Sequence, residues 1–280
     1  MQKHIKHISK QWVILAISCL LVISTMGCKR DNDTTIVDNK GVLKLMTYNI
    51  HIANPPSKPN VVDMEAIAKV INTVKPDFVA LQEVDRFTDR SGKDLDQAKK
   101  LAELTGMNYR FFKALDRSNG EYGVAVLTRF DIEESQGFVL PVVQNTGAEL
   151  RALGLVRVKL PDGRDFVFAS THLDHIANEN RELQSREILK SLKSYQKYPI
   201  VLGGDFNMNQ SNDVWNTLKL IFNVPCTMCP PTHSATNPTT SIDYLVLNTV
   251  AKSEFSVKSY NTYTEPYASD HLPVVMEIKY

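Results

Sequence analysis

The chain reads as an α/β sandwich built on mixed β-sheets. Three observations predict it. Short apolar runs of strand length are interleaved with stretches of helical period. Several runs follow one another through turns too short to hold a helix, which a doubly wound parallel sheet does not allow. Polar residues recur at the ends of the runs, where a rigid scaffold presents chemical groups.

Composition allows one large domain or two small ones. At 43% hydrophobic and 22% charged, the 280 residues are too apolar for a disordered chain, and four cysteines are too few for a disulfide scaffold. The formal net charge of +1 hides an asymmetry. Residues 1–27 contain Lys3, Lys6 and Lys10 and no acid; the remaining 253 residues carry 29 basic and 31 acidic side chains, a net of −2. Such a chain has no overall basic field, so tight binding of a polyanion would need a local patch.

Met1 to Gln11 is polar and basic, and Trp12 to Met26 is almost wholly apolar. Those 15 residues fall short of the ~20 needed to span a bilayer. A basic start, a short apolar stretch and small residues at its end read as a secretory signal. The segment ends Ser24-Thr25-Met26-Gly27-Cys28, which resembles a bacterial lipobox with Thr25 where leucine is usual. Ordinary signal cleavage and an uncleaved anchor are the alternatives. The expectation is a signal peptide over residues 1–27, a lipidated tether over 28–41 and one folded domain over 42–280. The protein would be exported and held through Cys28 to a membrane, on its periplasmic or cell-surface side.

Within the domain, Val42 to Tyr48 is a strand that stops at Asn49-Ile50-His51. Ala53 to Asn60 holds three prolines and is loop. Val62, Ile67, Val70, Ile71 and Val74 form a helical stripe over Val61 to Val74, ended by Pro76. Asp77 to Leu81 is a strand running into Gln82-Glu83-Val84-Asp85-Arg86. Leu95 to Leu104 is a helix stopped near Gly106. Tyr109 to Phe112, Gly123 to Thr128, Gly137 to Pro141 and Ala152 to Leu160 are strands. Pro161-Asp162-Gly163 is a turn, joining the last of these to Phe166 to Ser170 as a hairpin. That strand ends Thr171-His172-Leu173-Asp174-His175. Asn178 to Tyr195 is a charged surface helix, and Pro199 to Gly203 is a strand ending Gly204-Asp205-Phe206-Asn207. Asp213 to Phe222 is a helix and Pro225 to Thr240 a Pro/Thr-rich loop. Ile242 to Leu247 is a strand with Asp243 embedded in it. Leu272 to Lys279 is the final strand, after Ser269-Asp270-His271. Cys226 and Cys229 in the loop form a lone Cys-x-x-Cys; a local disulfide is favoured over a redox pair or half a zinc site.

Singly, the polar strand ends are weak signals. Asn49 alone is a turn residue, Arg86 and Arg151 are surface ion-pair formers, and His175 is a surface histidine. His172 and Asp174 are alternate residues, as are Asp205 and Asn207, so on strands each pair shares a face. Asp243 inside an apolar strand needs a partner. Together the residues are informative. The oxygen donors Asn49, Glu83, Asp205, Asn207 and Asp270 suit Mg²⁺, Mn²⁺ or Ca²⁺. No His-x-x-x-His, Gly-x-Ser-x-Gly elbow or P-loop is present. A histidine oriented by an aspartate beside a hard-metal site suits hydrolysis of a phosphate ester.

The ordered motifs Met46-Thr47-Tyr48-Asn49, Leu81 to Arg86, Tyr122 to Leu127, Thr171 to Asp174, Gly204 to Asn207, Ile242-Asp243-Tyr244 and Ser269-Asp270-His271 resemble the endonuclease/exonuclease/phosphatase superfamily. That superfamily includes deoxyribonuclease I, abasic-site endonucleases, neutral sphingomyelinases and inositol polyphosphate 5-phosphatases. The resemblance runs from about Val42 to Tyr280. Val124 departs from it, standing where many members carry asparagine. It implies a four-layer α/β sandwich, two mixed sheets face to face with helices outside, as in deoxyribonuclease I.

The resemblance also implies roles. His271 would be the general base, with Asp243 on its other ring nitrogen. Asp205 is the competing base and, with Asn207, would orient water and phosphate. His172 would donate to a phosphate oxygen. Arg151, Arg86 and Asp174 would contact substrate, and Glu83, Asn49 and Asp270 would hold Mg²⁺, or Mn²⁺ or Ca²⁺. The expected substrate is a phosphorylated small molecule or lipid headgroup, the forms around Asn49 and Glu83 being similar to a bacterial branch linked to glycosylphosphatidylinositol processing. Nucleic acid is the alternative substrate, as for a secreted non-specific nuclease; a non-catalytic binding module is another reading. A monomer is expected.

Overall fold

The computed structural model describes residues 41–280. The expected signal peptide and all but the last residue of the tether lie outside the described residues. Among those described, no helix is long and apolar enough to cross a membrane.

Twelve strands form two six-stranded sheets. The first contains β1 (Val42–Asn49), β2 (Phe78–Arg86), β3 (Asn108–Arg117), β4 (Gly120–Thr128), β11 (Ser256–Thr262) and β12 (Val274–Lys279), in the order β11-β12-β1-β2-β4-β3. The second contains β5 (Glu134–Leu140), β6 (Arg151–Lys159), β7 (Asp165–His172), β8 (Ile200–Asp205), β9 (Phe222–Asn223) and β10 (Asp243–Asn248), in the order β5-β6-β7-β8-β10-β9. Each sheet has one parallel pair, β1–β2 and β7–β8; the other pairs are antiparallel. A parallel pair needs a crossover. α1 (Met64–Val74) supplies the first and α3 (Asn178–Ser191) the second. α2 (Gln97–Thr105), α4 (Trp215–Leu218) and α5 (Thr249–Glu254) complete the chain.

Alternation along the strands sorts side chains into layers. Leu43, Leu45, Phe78 and Ala80 of the first sheet meet Phe166, Phe168, Val201 and Leu245 of the second in a central core. The other parity faces outward, where Met46, Tyr48, Val79 and Leu81 pack under α1 and α2. Val167, Leu202, Tyr244 and Val246 do the same under α3 and α4. Both faces of the central strands are thus covered, which is why β1, β2, β4, β7, β8 and β10 are almost continuously buried. The four-layer α/β sandwich expected from the sequence is the observed architecture.

The inward parity turns polar toward one end of the strands. Thr47, Asn49, Gln82, Ser170, His172, Asp205 and Asp243 continue the rows begun by the core residues. Thr47 donates to Gln82, and Gln82 donates to Ser170 of the opposite sheet at 3.0 Å. This buried layer, satisfied within itself and by the Leu81 carbonyl, separates the apolar core from the ends of the strands.

Two local expectations fail and two elements carry no sequence signal, each for an identifiable reason. Asp213 to Phe222 is helical only over α4, because Phe222 is taken by β9, which pairs with Leu247 and Asn248. β3 runs on to Arg117 and forms a tight hairpin with β4 through Ser118 and Asn119, both at positive φ. The edge strand β11 is polar and mostly exposed, so it lacks an apolar signature. α5 is one short turn capped by Asn248.

Beneath the polar ends the sheets approach closely at Gly203 in β8. A β-carbon there would lie 2.8 Å from Cβ of Ala80 and 3.0 Å from Cβ of Thr47, both on the facing sheet. Gly203→Ala should therefore destabilise the domain by about 1–3 kcal/mol. Guanidinium unfolding measures this; a midpoint equal to that of the parent protein would contradict the packing.

Candidate active site

Register brings the polar ends together. His172 ends β7, Asp205 ends β8 and Asp243 begins β10; His172 lies opposite Asp205, and Asp205 opposite Asp243. All three point between the sheets. From the facing sheet, Asn49 at the end of β1 donates through Nδ2 to Asp205 Oδ2 at 3.0 Å and to Glu83 Oε1 at 3.0 Å. Its Oδ1 accepts from the His51 amide at 3.0 Å.

Glu83 reaches this point by breaking the pleat. Strand alternation from Gln82 would turn it outward. Instead the β2–β4 register shifts between Leu81 and Val84, and Glu83 adopts φ 55°. This bulge turns its carboxylate to the cleft. His271, just before β12, is held by its Nδ1 2.9 Å from Asp243 Oδ2, while its Nε2 lies 3.9 Å from Asp205 Oδ2. Ser269 anchors this segment, donating to the Asn49 carbonyl at 2.7 Å.

The other wall is cationic. Arg151 is 4% exposed, its Nε has no hydrogen-bond partner, and no carboxylate pairs with it among the described residues. Its Nη2 donates to His175 Nδ1 at 3.0 Å, and its Nη1 lies 3.5 Å from His172 Nδ1. Asn207 Nδ2 donates both to His172 Nε2 and to the Leu173 carbonyl, each at 3.0 Å. That network, from which the tautomer is assigned, leaves the His172 proton on Nδ1. Two donors, Nδ1–H and a guanidinium N–H, thus face one another without an acceptor between them. Beyond them Arg90 forks onto Asp85 with two bonds of 2.7 Å, and Arg117 pairs with Glu149. Tyr122 lies against both guanidinium groups. The whole forms an open cleft of about 410 Å³. A larger concavity of about 680 Å³ near β9 and α5 has only Lys219 and Lys252 as charged lining and offers no comparable chemistry.

The profile of the Endonuclease/Exonuclease/phosphatase family matches residues 46–271. The chain belongs to this family. As a member it is a phosphoric ester hydrolase. Its fold matches an endonuclease/exonuclease/phosphatase from Beutenbergia cavernae (TM-score 0.71, 26% identity, 86% of this chain and 72% of that one). It also matches a mannosyl-6-phosphatase of Bacteroides thetaiotaomicron (TM-score 0.69, 22% identity, 85% and 100% covered). The human Nocturnin catalytic domain, solved with bound sulfate, is similar as well (TM-score 0.66, 22% identity, 85% and 93% covered). No curated protein sequence matches the chain significantly.

In this family member the expected site residues fall into two groups. Asn49, Glu83, Arg151, His172, Asp205, Asn207, Asp243 and His271 converge. Three expected substrate or metal contacts are placed differently. Arg86 ion-pairs with Glu121 and stacks on Phe111, away from the cleft, because its own strand neighbour supplies the carboxylate. Asp174 is buried and accepts from the amides of Ile176 and Ala177 ahead of α3; the strand ends at His172, so the two do not share a face. Asp270 groups with His233 and His271 and lies 3.9 Å from His51 Nδ1, with no ion pair or hydrogen bond to Glu83 or Asn49. Two further readings change in detail. Asn207 is off the strand at φ 51° and reaches His172 through a turn on Asp205. Asn49 presents its amide N–H₂, not its oxygen, to the carboxylates, so it ties Glu83 to Asp205 instead of offering a metal ligand. The sequence assigned no role to His51, Arg90, Arg117, Tyr122 or Glu149, which line the cleft; of these only Tyr122 opened one of the ordered motifs. His175 is exposed, as expected, yet it lines the cleft.

Charge explains the arrangement. Glu83, Asp205, Asp243 and Asp270 crowd one side, and buried Asp243 Oδ1 has no hydrogen-bond partner. Glu83 and Asp205, sharing one amide group, supply the hard oxygen donors a divalent cation requires. Burial, and next the Asp243 carboxylate, push the Asp205 carboxyl up to about 7. At His271 burial favours the neutral ring, but Asp243, Asp205 and Asp270 outweigh it and raise its pKa to about 10. At His172 burial and then the Arg151 charge act together to keep the ring neutral.

In chelator-treated protein the His271 proton contributes stability that is complete below pH 6.5, the ordinary imidazole value, and is lost as pH rises through about 10. Asp205 acts in the same direction over the window from 3.8 to about 7. The melting temperature should fall between about pH 7 and pH 9.5, and Asp243→Asn should flatten that fall. Equal slopes for parent and variant would refute the ion pair.

Proposed function

We propose that the chain is an exported, membrane-anchored, divalent-metal-dependent phosphoesterase acting on a small phosphate ester, a phosphorylated sugar, inositol or lipid headgroup. One observation carries the anionic substrate. A buried guanidinium without a carboxylate faces the N–H of a neutral imidazole, and an oxyanion between Arg151 and His172 satisfies both. Small size follows from the charge balance of the walls. Arg90 and Arg117 are already matched by Asp85 and Glu149, so no row of free cations is left to follow a polyanion. The mannosyl-6-phosphatase among the structural relatives supports the same substrate class.

Glu83 and Asp205 fit a divalent cation, which when bound would polarise the phosphoryl and leaving oxygens. Arg151 and His172 hold the non-bridging oxygens. Asp205, whose Oδ2 lies 3.9 Å from His271 Nε2, accepts the proton of the attacking water. The new P–O bond forms as the bond to the leaving oxygen breaks, and the departing alkoxide takes a proton from solvent. His271 keeps its proton between Asp243 and Asp205 and donates through Nε2 to the phosphoryl group. This takes the alternative that the sequence left open, with Asp205 as the base and His271 as the charged donor.

Asp205→Asn and His271→Ala should each lower turnover at least about 10²-fold with an unchanged circular dichroism spectrum. Arg151→Ala, which removes charged hydrogen bonds of about 1.5–3 kcal/mol, should lower kcat/KM by roughly 10–150-fold. These are read on a Mg²⁺-supported panel of sugar phosphates, phosphoinositides, sphingomyelin, DNA and RNA. Full activity of His271→Ala, or preference for DNA, would overturn the reading. Export and anchoring are tested separately: Cys28→Ala should abolish metabolic labelling by palmitate and move the protein out of the membrane fraction, and labelling retained in the variant would exclude the anchor.

A further inference from the structure

His233 has no part in the hydrolysis described above, yet the fold presses it onto the site. The loop from Pro225 to Thr240 is clamped to the Asp270-His271 dipeptide by two backbone bonds of 2.7 Å, Ala235 N–H to the Asp270 carbonyl and Leu272 N–H to the Thr232 carbonyl. An isolated bridge pairs His233 with His271, and their rings stand 4.9 Å apart. One ring nitrogen of each histidine and one carboxylate oxygen of Asp270 lie within 4.8 Å of one another. Neither nitrogen of the His233 ring has a hydrogen-bond partner among the described residues, and His271 has one only on Nδ1. Asp270 Oδ1 has a single weak one, Ser269 Oγ at 3.4 Å.

Two imidazoles and a carboxylate differ in kind from the all-oxygen pair Glu83 and Asp205. Nitrogen donors favour the later first-row ions over Mg²⁺. Two histidines and one carboxylate with an open fourth position are a recurrent zinc set, with Zn–N and Zn–O distances near 2.0–2.2 Å. Ligand atoms on one tetrahedral zinc therefore stand about 3.4 Å apart, and side-chain rotations from within 4.8 Å close the site. We propose that His233, Asp270 and His271 form an inhibitory site for a borderline transition-metal ion of the zinc class, separate from the Mg²⁺ position. The ion takes His271 away from its task by either nitrogen: through Nε2 it covers the face turned to Asp205, and through Nδ1 it displaces Asp243. Loss of turnover rests on the phosphoesterase reading; binding does not.

The test uses the full chain, stripped of metal, and His233→Phe, which keeps a ring against His271 and removes the ligand. Calorimetric titration with ZnCl₂ should show one equivalent bound by the parent and at least tenfold weaker binding by the variant. Substitution with Co²⁺ should give visible d–d bands without thiolate charge-transfer absorption in the parent, and lose them in the variant. Mg²⁺-supported hydrolysis should be inhibited by zinc, at tenfold higher concentration in His233→Phe, each protein being normalised to its zinc-free rate. Identical zinc affinity in the two proteins, or inhibition indifferent to the substitution, would overturn the site. If no phosphoester is turned over but zinc still binds through His233, the metal site stands and the hydrolytic reading falls.

Discussion

The candidate site depends on two sheets being held face to face at the ends of β1 and β8. There Asn49 donates across the gap to Asp205, and the same amide group holds Glu83. The contact requires close approach. Gly203, one pleat below Asp205, supplies it by leaving no side chain between Ala80 and Thr47. A larger residue in β8 would wedge the sheets apart at the point where their polar residues must meet.

Below that contact lies a buried polar layer of Thr47, Gln82 and Ser170. Such networks are costly when half satisfied and specifying when complete. Here the layer is complete, and it fixes the lateral register of the sheets. His271 and Asp243, which come from opposite sides of the sandwich, can then meet at 2.9 Å. The alternation that fills the core with Leu45, Phe78, Phe168 and Val201 carries on, without a change of parity, into Asn49, Gln82, His172 and Asp205. Core and site are two stretches of the same rows.

Electrostatics follows from this geometry. Carboxylates gathered on one side keep His271 protonated, and burial together with Asp243 raises Asp205 toward neutrality. On the other side Arg151 and neutral His172 are left as donors. Groups of opposite character thus line opposite walls of one cleft. At Glu83, Asn207 and His51 the backbone takes a positive φ, and all three residues line the cleft.

Much of this was legible in the chain itself. Apolar runs ending in Asn49, Glu83, His172, Asp205 and Asp243 announced strands with chemistry at one end, because period-2 burial leaves a direct mark on composition. What failed to show were residues whose role depends on neighbours far along the chain. Arg86 and Arg151 look alike as sequence. The fold pairs the first with Glu121 and buries the second without a carboxylate. Asp174 looks like a partner of His172 until the strand is seen to end between them. His233 in a Pro/Thr-rich loop carries no signal at all, since only the loop's hydrogen bonds to Asp270 and Leu272 bring it to His271. The sequence by itself determined the strands, their polar ends and the kind of chemistry they could support, because those depend on local burial and residue type. The tertiary structure alone decided which charges are paired, which donor is left free and which histidine keeps its proton, because those depend on distances between residues that only folding brings together.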